Sequence, residues 1–275
     1  MLLAWLAGAA LSVSGAVMQS ILKNPLASSF TLGVSSGASL GAGIVILFGA
    51  ALPLAGMLSV PAAGFIGSLL SIAFVMRFSR AIDPSLENNT VILAGMVLSL
   101  FVNAALTMLS ALSKTEMSRL LFWQMGSFAL RGWTPVAVLA PVLVLSCAAL
   151  VLFRRELDIM TFGDDEATAI GVNVLACKRF MIVLTSVLTG CTIAFTGVIG
   201  FLDLAVPQII RRLAGPSHRS LIPLSAILGG SFMVLADLVA RMAIPPLDLP
   251  VGAITAALGA PFFAWVYFGS RRSAP

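Results

Sequence analysis

RRELDIMTFGDDEATAIGVNVLACKR, residues 154–179, is the longest charged interruption in a sequence that is otherwise almost continuously apolar. It holds five of the chain's eleven carboxylates, Glu156, Asp158, Asp164, Asp165 and Glu166, framed by Arg154, Arg155, Lys178 and Arg179. Its centre reads as a short helix. Gly163 breaks the chain, Asp164 is placed to cap the helix, and the acids that follow suit the positive end of the helix dipole. Gly171 fits the stop signal. A polar helix between apolar runs is either a solvated loop or a handle that another protein grips, and the remainder of the chain favours the handle.

Outward from that stretch the composition excludes a soluble domain. Hydrophobic residues make up 59% and charged residues 10%, against about 25% charged in soluble proteins. Runs of about 20 apolar residues are needed to cross a bilayer as helix, and nine candidates occur: 2–21, 32–50, 57–78, 91–112, 135–153, 180–199, 202–210, 221–240 and 251–268. The expected fold is therefore all-α, a polytopic membrane protein with a single transmembrane domain over 1–275. The run 202–210 is too short to assign by length, so charge decides it. If it crosses and the N-terminus lies outside, the inner loops receive Lys23, Arg77, Arg80, Arg154, Arg155, Lys178, Arg179, Arg211, Arg212, Arg219, Arg271 and Arg272. The outer loops keep Lys114, Arg119, Arg131 and Arg241, a split of twelve against four that falls to eight against eight if it does not cross. The positive-inside rule selects the first arrangement, as a short or broken helix with the C-terminus in the cytoplasm. An outside start with an odd number of spans carries the expectation that a first helix is missing.

Small residues suggest close helix packing: Gly33, Gly37 and Gly41 recur every four residues, leaving one face nearly bare backbone. Gly15 to Pro25 and Gly197 to Pro207 both place a proline ten residues after a glycine, a hint of an inverted repeat. Cys147, Cys177 and Cys191 lack paired or metal-ligand spacing and read as core residues. The net charge of +5 is spread over span ends and is no nucleic-acid footprint.

The chemistry of catalysis is missing. No lysine stands in a glycine-rich phosphate loop, the one lysine followed by Ser or Thr being Lys114. The single histidine, His218, lies in the loop sequence GPSHR, which excludes an HExxH helix and leaves a Ser–His site only a membrane-surface histidine. Ionisable residues within spans mark ion-coupled carriers, and here only Asp203 and Asp237 qualify. Asp237 stands four residues before Arg241, the spacing of an ion pair, and Asp203 is placed to cap a short helix. What remains is a passive gate driven by a separate engine. An ion-coupled secondary transporter and a non-transporting scaffold subunit are the alternatives.

Several stretches resemble one family, the FecCD-type permeases of ABC importers for iron–siderophore complexes, haem and cobalamin. They are 8–19 (GAALSVSGAVMQ), 24–27 (NPLA), 32–38 (LGVSSGA), 122–127 (FWQMGS), 163–172 (GDDEATAIGV), 196–211 (TGVIGFLDLAVPQIIR), 215–219 (GPSHR), 236–241 (ADLVAR) and 249–262 (LPVGAITAALGAPF). The resemblance implies a ten-helix permease in the bacterial cytoplasmic (inner) membrane that works as a homo- or heterodimer. Two ABC ATPase subunits, which bind the ATP, and an external substrate-binding protein would complete it. No cofactor is implied in this chain, and the other expected partner is membrane lipid, with no nucleic acid. By the same resemblance Gly163, Asp164, Asp165, Glu166 and Gly171 belong to the ATPase-coupling loop, about 154–179. Asn24 and Leu26 match a cytoplasmic gate, Ser113 and Thr115 a periplasmic gate, and Arg241 a docking point for the binding protein. The sequence departs from the family at Gln208, commonly histidine there, at Asp203 in a usually apolar segment, and in lacking the first family helix with the basic stretch after it.

Overall fold

The computed structural model describes residues 1–48, 59–112, 114–129, 131–244 and 248–271 (the side chains of 59, 112, 114, 115 and 262–271 excepted). The described elements are all helices: α1 Leu2–Ile21, α2 Val34–Phe48, α3 Ser59–Ile82, α4 Asn88–Leu112, α5 Lys114–Gln124, α6 Thr134–Leu152, α7 Arg154–Met160, α8 Asp164–Ala169, α9 Val174–Thr196, α10 Leu202–Ala214, α11 His218–Met242 and α12 Val251–Arg271. Each apolar run overlaps one of them. Among the described residues six helices, α1, α3, α4, α6, α9 and α11, are long and apolar enough to cross a membrane by length and composition. α2 is shorter, and α10, at 13 residues, reaches only about 20 Å at 1.5 Å per residue, well short of a bilayer core.

The centre of the bundle is α1, which packs against α11, α9, α10 and α6. Its sequence, LLAWLAGAALSVSGAVMQSI, is apolar or small on every side, so it has no face that needs lipid or water, and its residues from Leu6 to Ile21 are all buried. Small residues set the spacing. Gly8 on α1 lies against the backbone of Gly229 on α11, and a methyl group at either would enter the other's carbonyl. Gly37 and Gly41 on α2 face α3 in the same way, against the carbonyls of Gly67 and Ala63. Gly33 also packs closely, against Ser71 of α3 and Ser99 of α4, but from outside the helix. It precedes α2 with φ +82°, a left-handed turn that glycine adopts freely, and its carbonyl accepts from Ser71 Oγ at 2.7 Å. Because the obstacle at Gly41 is backbone, which cannot rotate away, Gly41→Leu is expected to destabilise the fold by at least about 2 kcal/mol. A lowered thermal midpoint in detergent checks it; an unchanged one excludes tight α2–α3 contact.

Two other expectations need correction. The segments 15–25 and 197–207 do not share local structure. Gly15 is mid-helix with Pro25 in a loop, whereas Gly197 lies in a loop with Pro207 inside α10. And α9 begins at Val174, six residues before the apolar run does, so Lys178 and Arg179 ride inside the helix.

Candidate coupling site

The polar stretch folds as two short helices, α7 and α8, at one end of the bundle. Leu157, Met160 and Ala167 are fully buried and pin the pair down. Between and after them Phe162 and Ile170 stand out at 82% and 68% exposure, beside the exposed acids Asp165 and Glu166. Asp164 is not the cap. The cap position is Gly163, and Asp164 is the first helical residue, still at the end where the dipole favours an acid. Gly171 ends α8 with φ +95°. Its N–H donates to the carbonyl of Thr168 at 2.9 Å, and that of Val172 reaches back to Ala167 at 3.0 Å, the paired bonds of a Schellman stop.

Asp164 is free to do something else because it does not cap. One oxygen takes Lys23 Nζ at 2.7 Å and the other Lys178 Nζ at 2.5 Å, so α8 is tied to the loop after α1 and to α9. Lys178 is 1% exposed, a position a lysine tolerates only with its charge matched. Burial alone would raise the Asp164 carboxyl, but the hydrogen bonds and charges of Lys178 and Lys23 outweigh it and hold it below the ordinary value of 3.8. A depressed folded-state value stabilises above the unfolded one and is lost as pH falls through the folded one. The tether's contribution is thus expected to be complete above the ordinary carboxylate value, to decline as pH falls below it, and to vanish only below the still lower folded value. The thermal-midpoint difference between wild type and Asp164→Asn should be constant at neutral pH and shrink below about pH 4; a difference independent of pH would contradict the pairing.

Asp158 on α7 makes the second tie. Its carboxylate accepts from the backbone N–H of His218 at 2.8 Å and lies 2.6 Å from His218 Nδ1. His218 is not a surface-loop residue: it is the first residue of α11 and fully buried. Its Nε2 lies 2.8 Å from Ser20 Oγ on α1, which also accepts from Arg211 of α10 at 2.7 Å. One node therefore joins α7, α11, α1 and α10. Next to Ser20 on α1, Gln19 donates to the carbonyls of Asp203 and Leu204 at 3.1 and 3.3 Å and accepts from Gln208 at 2.9 Å. Asp203, read as a cap, instead accepts from Ser28 Oγ with its carboxylate; the helix is preceded by Phe201 in the left-handed region.

Asn24 and Leu26 lie beside the first tie. Asn24 Oδ1 accepts from the N–H of Leu26 at 2.9 Å, an Asx turn that leaves the Leu26 side chain exposed. Asn24 shares with Lys23, Asp164, Glu87 and Asn88 a cavity of about 310 Å³, so the structure brings the NPLA stretch and the acidic helix together. Ser113 lies outside the described residues, and Thr115 is in α5 with only its backbone described. Arg241 Nε donates to Asp237 Oδ1 at 3.1 Å and is otherwise half exposed. Three further stretches meet elsewhere in the bundle. Ser127 N–H donates to Thr196 at 2.8 Å, and Val251 and Gly252 donate to Gly126 and Met125 at 3.2 and 3.1 Å, next to a cavity of about 340 Å³ lined by Trp123, Arg131 and Asp248 among others. The described residues contain no cluster of His, Cys, Asp and Glu fit for a metal ion.

Sequence reading missed Lys23, Lys178, Asp158, Ser20 and Gln19. The available signal was the presence of Gln19 and Gln208 inside apolar runs, where amides need partners.

The FecCD transport family matches residues 1–268. An uncharacterised ABC transporter permease protein of Bacillus subtilis, YvrB, is 42% identical over 98% of this chain and 76% of its own length. The hemin transport system permease protein HmuU of Yersinia pestis is 36% identical over 98% of this chain and 81% of its own. Among solved structures, one described as an inward-facing conformation of a metal-chelate type ABC transporter superposes with a TM-score of 0.89 at 30% identity. It covers 98% of this chain and 84% of that one. With its helical bundle, its apolar spans and these matches over nearly its whole length, the chain belongs to the FecCD transport family and is a multi-pass membrane permease, a transport subunit and not an enzyme.

Proposed function

We propose that the chain is the permease subunit of an ABC importer for an iron chelate (iron–siderophore, or alternatively haem or cobalamin), moved by alternating access. The work would come from ATPase subunits that grip α7 and α8 from the cytoplasm. A second permease subunit, identical or paralogous, would complete the passage, and an external binding protein would deliver cargo near Arg241. The observation that carries this reading is the double tether of the exposed pair. Asp164 and Asp158 bind α8 and α7 to the loop after α1, to α9 and to α11, and α9 and α11 both pack on α1, so a displacement of the pair is passed to the centre of the bundle. The outward face, Phe162 and Ile170 among acids, is apolar surface without a partner in a single chain, as a docking point requires. The kinship with hemin and Fe(3+) dicitrate permeases supports the substrate class.

The test is reconstitution in vesicles with the ATPase and binding protein encoded beside it. Uptake of a ferric chelate that requires ATP is expected. Phe162→Asp is expected to weaken ATPase association about tenfold or more by putting a charge at the centre of an apolar contact. Uptake that proceeds without any ATPase, or association unaffected by Phe162→Asp, would reject the proposal.

A further inference from the structure

Beyond the transport reading, we infer that the end of α3 and the neighbouring turn of α9 form a binding site for the phosphate headgroup of an anionic phospholipid. Arg77 and Arg80 of α3 and Arg179 of α9 line one cavity of about 470 Å³, with Met76 and Ala81 as its other walls and no carboxylate among them. None of the three arginines has an ion-pair partner among the described residues. Two of the acids near them in sequence are engaged elsewhere. Asp83 accepts from the N–H groups of Ser85 and Glu87 and from Ser85 Oγ, and Asp164 spends both oxygens on Lys23 and Lys178. Three like charges left around one open cavity repel each other unless an anion enters, and guanidinium groups match phosphate oxygens in geometry.

The apolar surroundings favour a lipid over a partner protein. Leu70, Phe74, Phe78 and Ile82 follow each other at four-residue spacing along α3, all exposed, with Phe74 and Phe78 stacked at 5.7 Å. On α9 Phe180 and Val183 are exposed beside Arg179. Arg77 and Ala81 lie on the flank of the α3 stripe, so an acyl chain can follow the stripe while its headgroup sits among the arginines. Basic pockets at helix ends hold anionic headgroups in this way. Span-end arginines are expected in any membrane protein; their convergence from two helices on one cavity is not.

The experiment is native mass spectrometry of the delipidated full chain, titrated with phosphatidylglycerol, with phosphatidylcholine of the same acyl chains, or with inorganic phosphate. Phosphatidylglycerol is expected to be retained roughly tenfold better than phosphatidylcholine. The triple variant Arg77→Gln, Arg80→Gln, Arg179→Gln is expected to lose that preference. The triple variant Arg154→Gln, Arg155→Gln, Arg219→Gln, with the same loss of charge elsewhere, is expected to keep it. Equal retention of the two lipids, or equal loss in both variants, overturns the site. Displacement of the lipid by equimolar inorganic phosphate would assign the cavity to free phosphate instead. Loss of ATPase binding with lipid preference unchanged would make it a protein contact. Independently of any variant, a photoreactive phosphatidylglycerol is expected to label the peptides carrying 76–81 and 179; labelling spread evenly over the helices also overturns it.

Discussion

Asp164→Ala is expected to reduce ATP turnover coupled to transport to below about a tenth of wild type while the bundle stays folded. The substitution removes both ion pairs at once and leaves Lys178, 1% exposed, without a counter-charge. Breaking a fully buried pair costs about 3–5 kcal/mol. Here the carboxylate side is 36% exposed, so the cost is nearer 2 kcal/mol after solvent screening. It falls on a six-residue helix that cannot persist alone. About 2 kcal/mol raises the detached fraction of α8 roughly thirtyfold, so a force applied to Phe162 and Ile170 would move the helix without moving α1 or α9. Hydrogen exchange separates this from global unfolding. The amides of 164–172 should exchange about thirtyfold faster, and those in the centre of α1 should not change. Asp164→Glu, which can still reach one lysine, should recover part of the coupling. Full coupling in Asp164→Ala with faster exchange at α8 would show that the tether is not the path of force.

Which parts of this were readable beforehand follows from the range of the physics involved. Hydrophobic runs are local, so each of the nine runs overlaps a helix, and α1 matches its run residue for residue. The Gly171 stop was readable because a left-handed turn needs glycine there. Boundaries failed where a long-range partner extends a helix past its apolar run. α9 starts at Val174 because Asn173 caps it, its Oδ1 accepting from the N–H of Ala176 at 3.0 Å, and Lys178, carried inside the helix, is buried against Asp164, fourteen residues earlier. The burial of His218 likewise rests on a distant partner. Within GPSHR nothing announces that Asp158, sixty residues away, will receive both its backbone and its ring. Spacing alone groups Gly33 with Gly37 and Gly41, whereas the helix starts one residue later. The node at Ser20 joins residues nearly two hundred positions apart, and no window along one sequence reports such a meeting.

The second large effect is expected from Gln19→Leu, and its cause is a proline on another helix. Pro207 lies inside α10 and has no N–H to give the carbonyl four residues back, which is that of Asp203. That carbonyl is in the interior of the bundle, where the backbone of Gly15 crosses it too closely for any side chain, and water has no room to replace the missing bond. Gln19 Nε2 supplies it at 3.1 Å, and its Oε1 holds Gln208 at 2.9 Å. Leucine fills similar space and offers neither atom. One carbonyl and one amide left unpaired at about 1–3 kcal/mol each give an expected loss of about 3 kcal/mol, or several degrees in the thermal midpoint. Pro207→Ala separates this cause from packing. It restores an N–H at 207, so Asp203 can be paired within α10, and the double variant Gln19→Leu, Pro207→Ala is expected to recover about 1–2 kcal/mol relative to Gln19→Leu alone. In the wild-type background Pro207→Ala recovers less, because the carbonyl already has a donor. If the two substitutions prove simply additive, Gln19 is not there for the carbonyl that proline leaves open, and its bond to Gln208 must carry the whole effect.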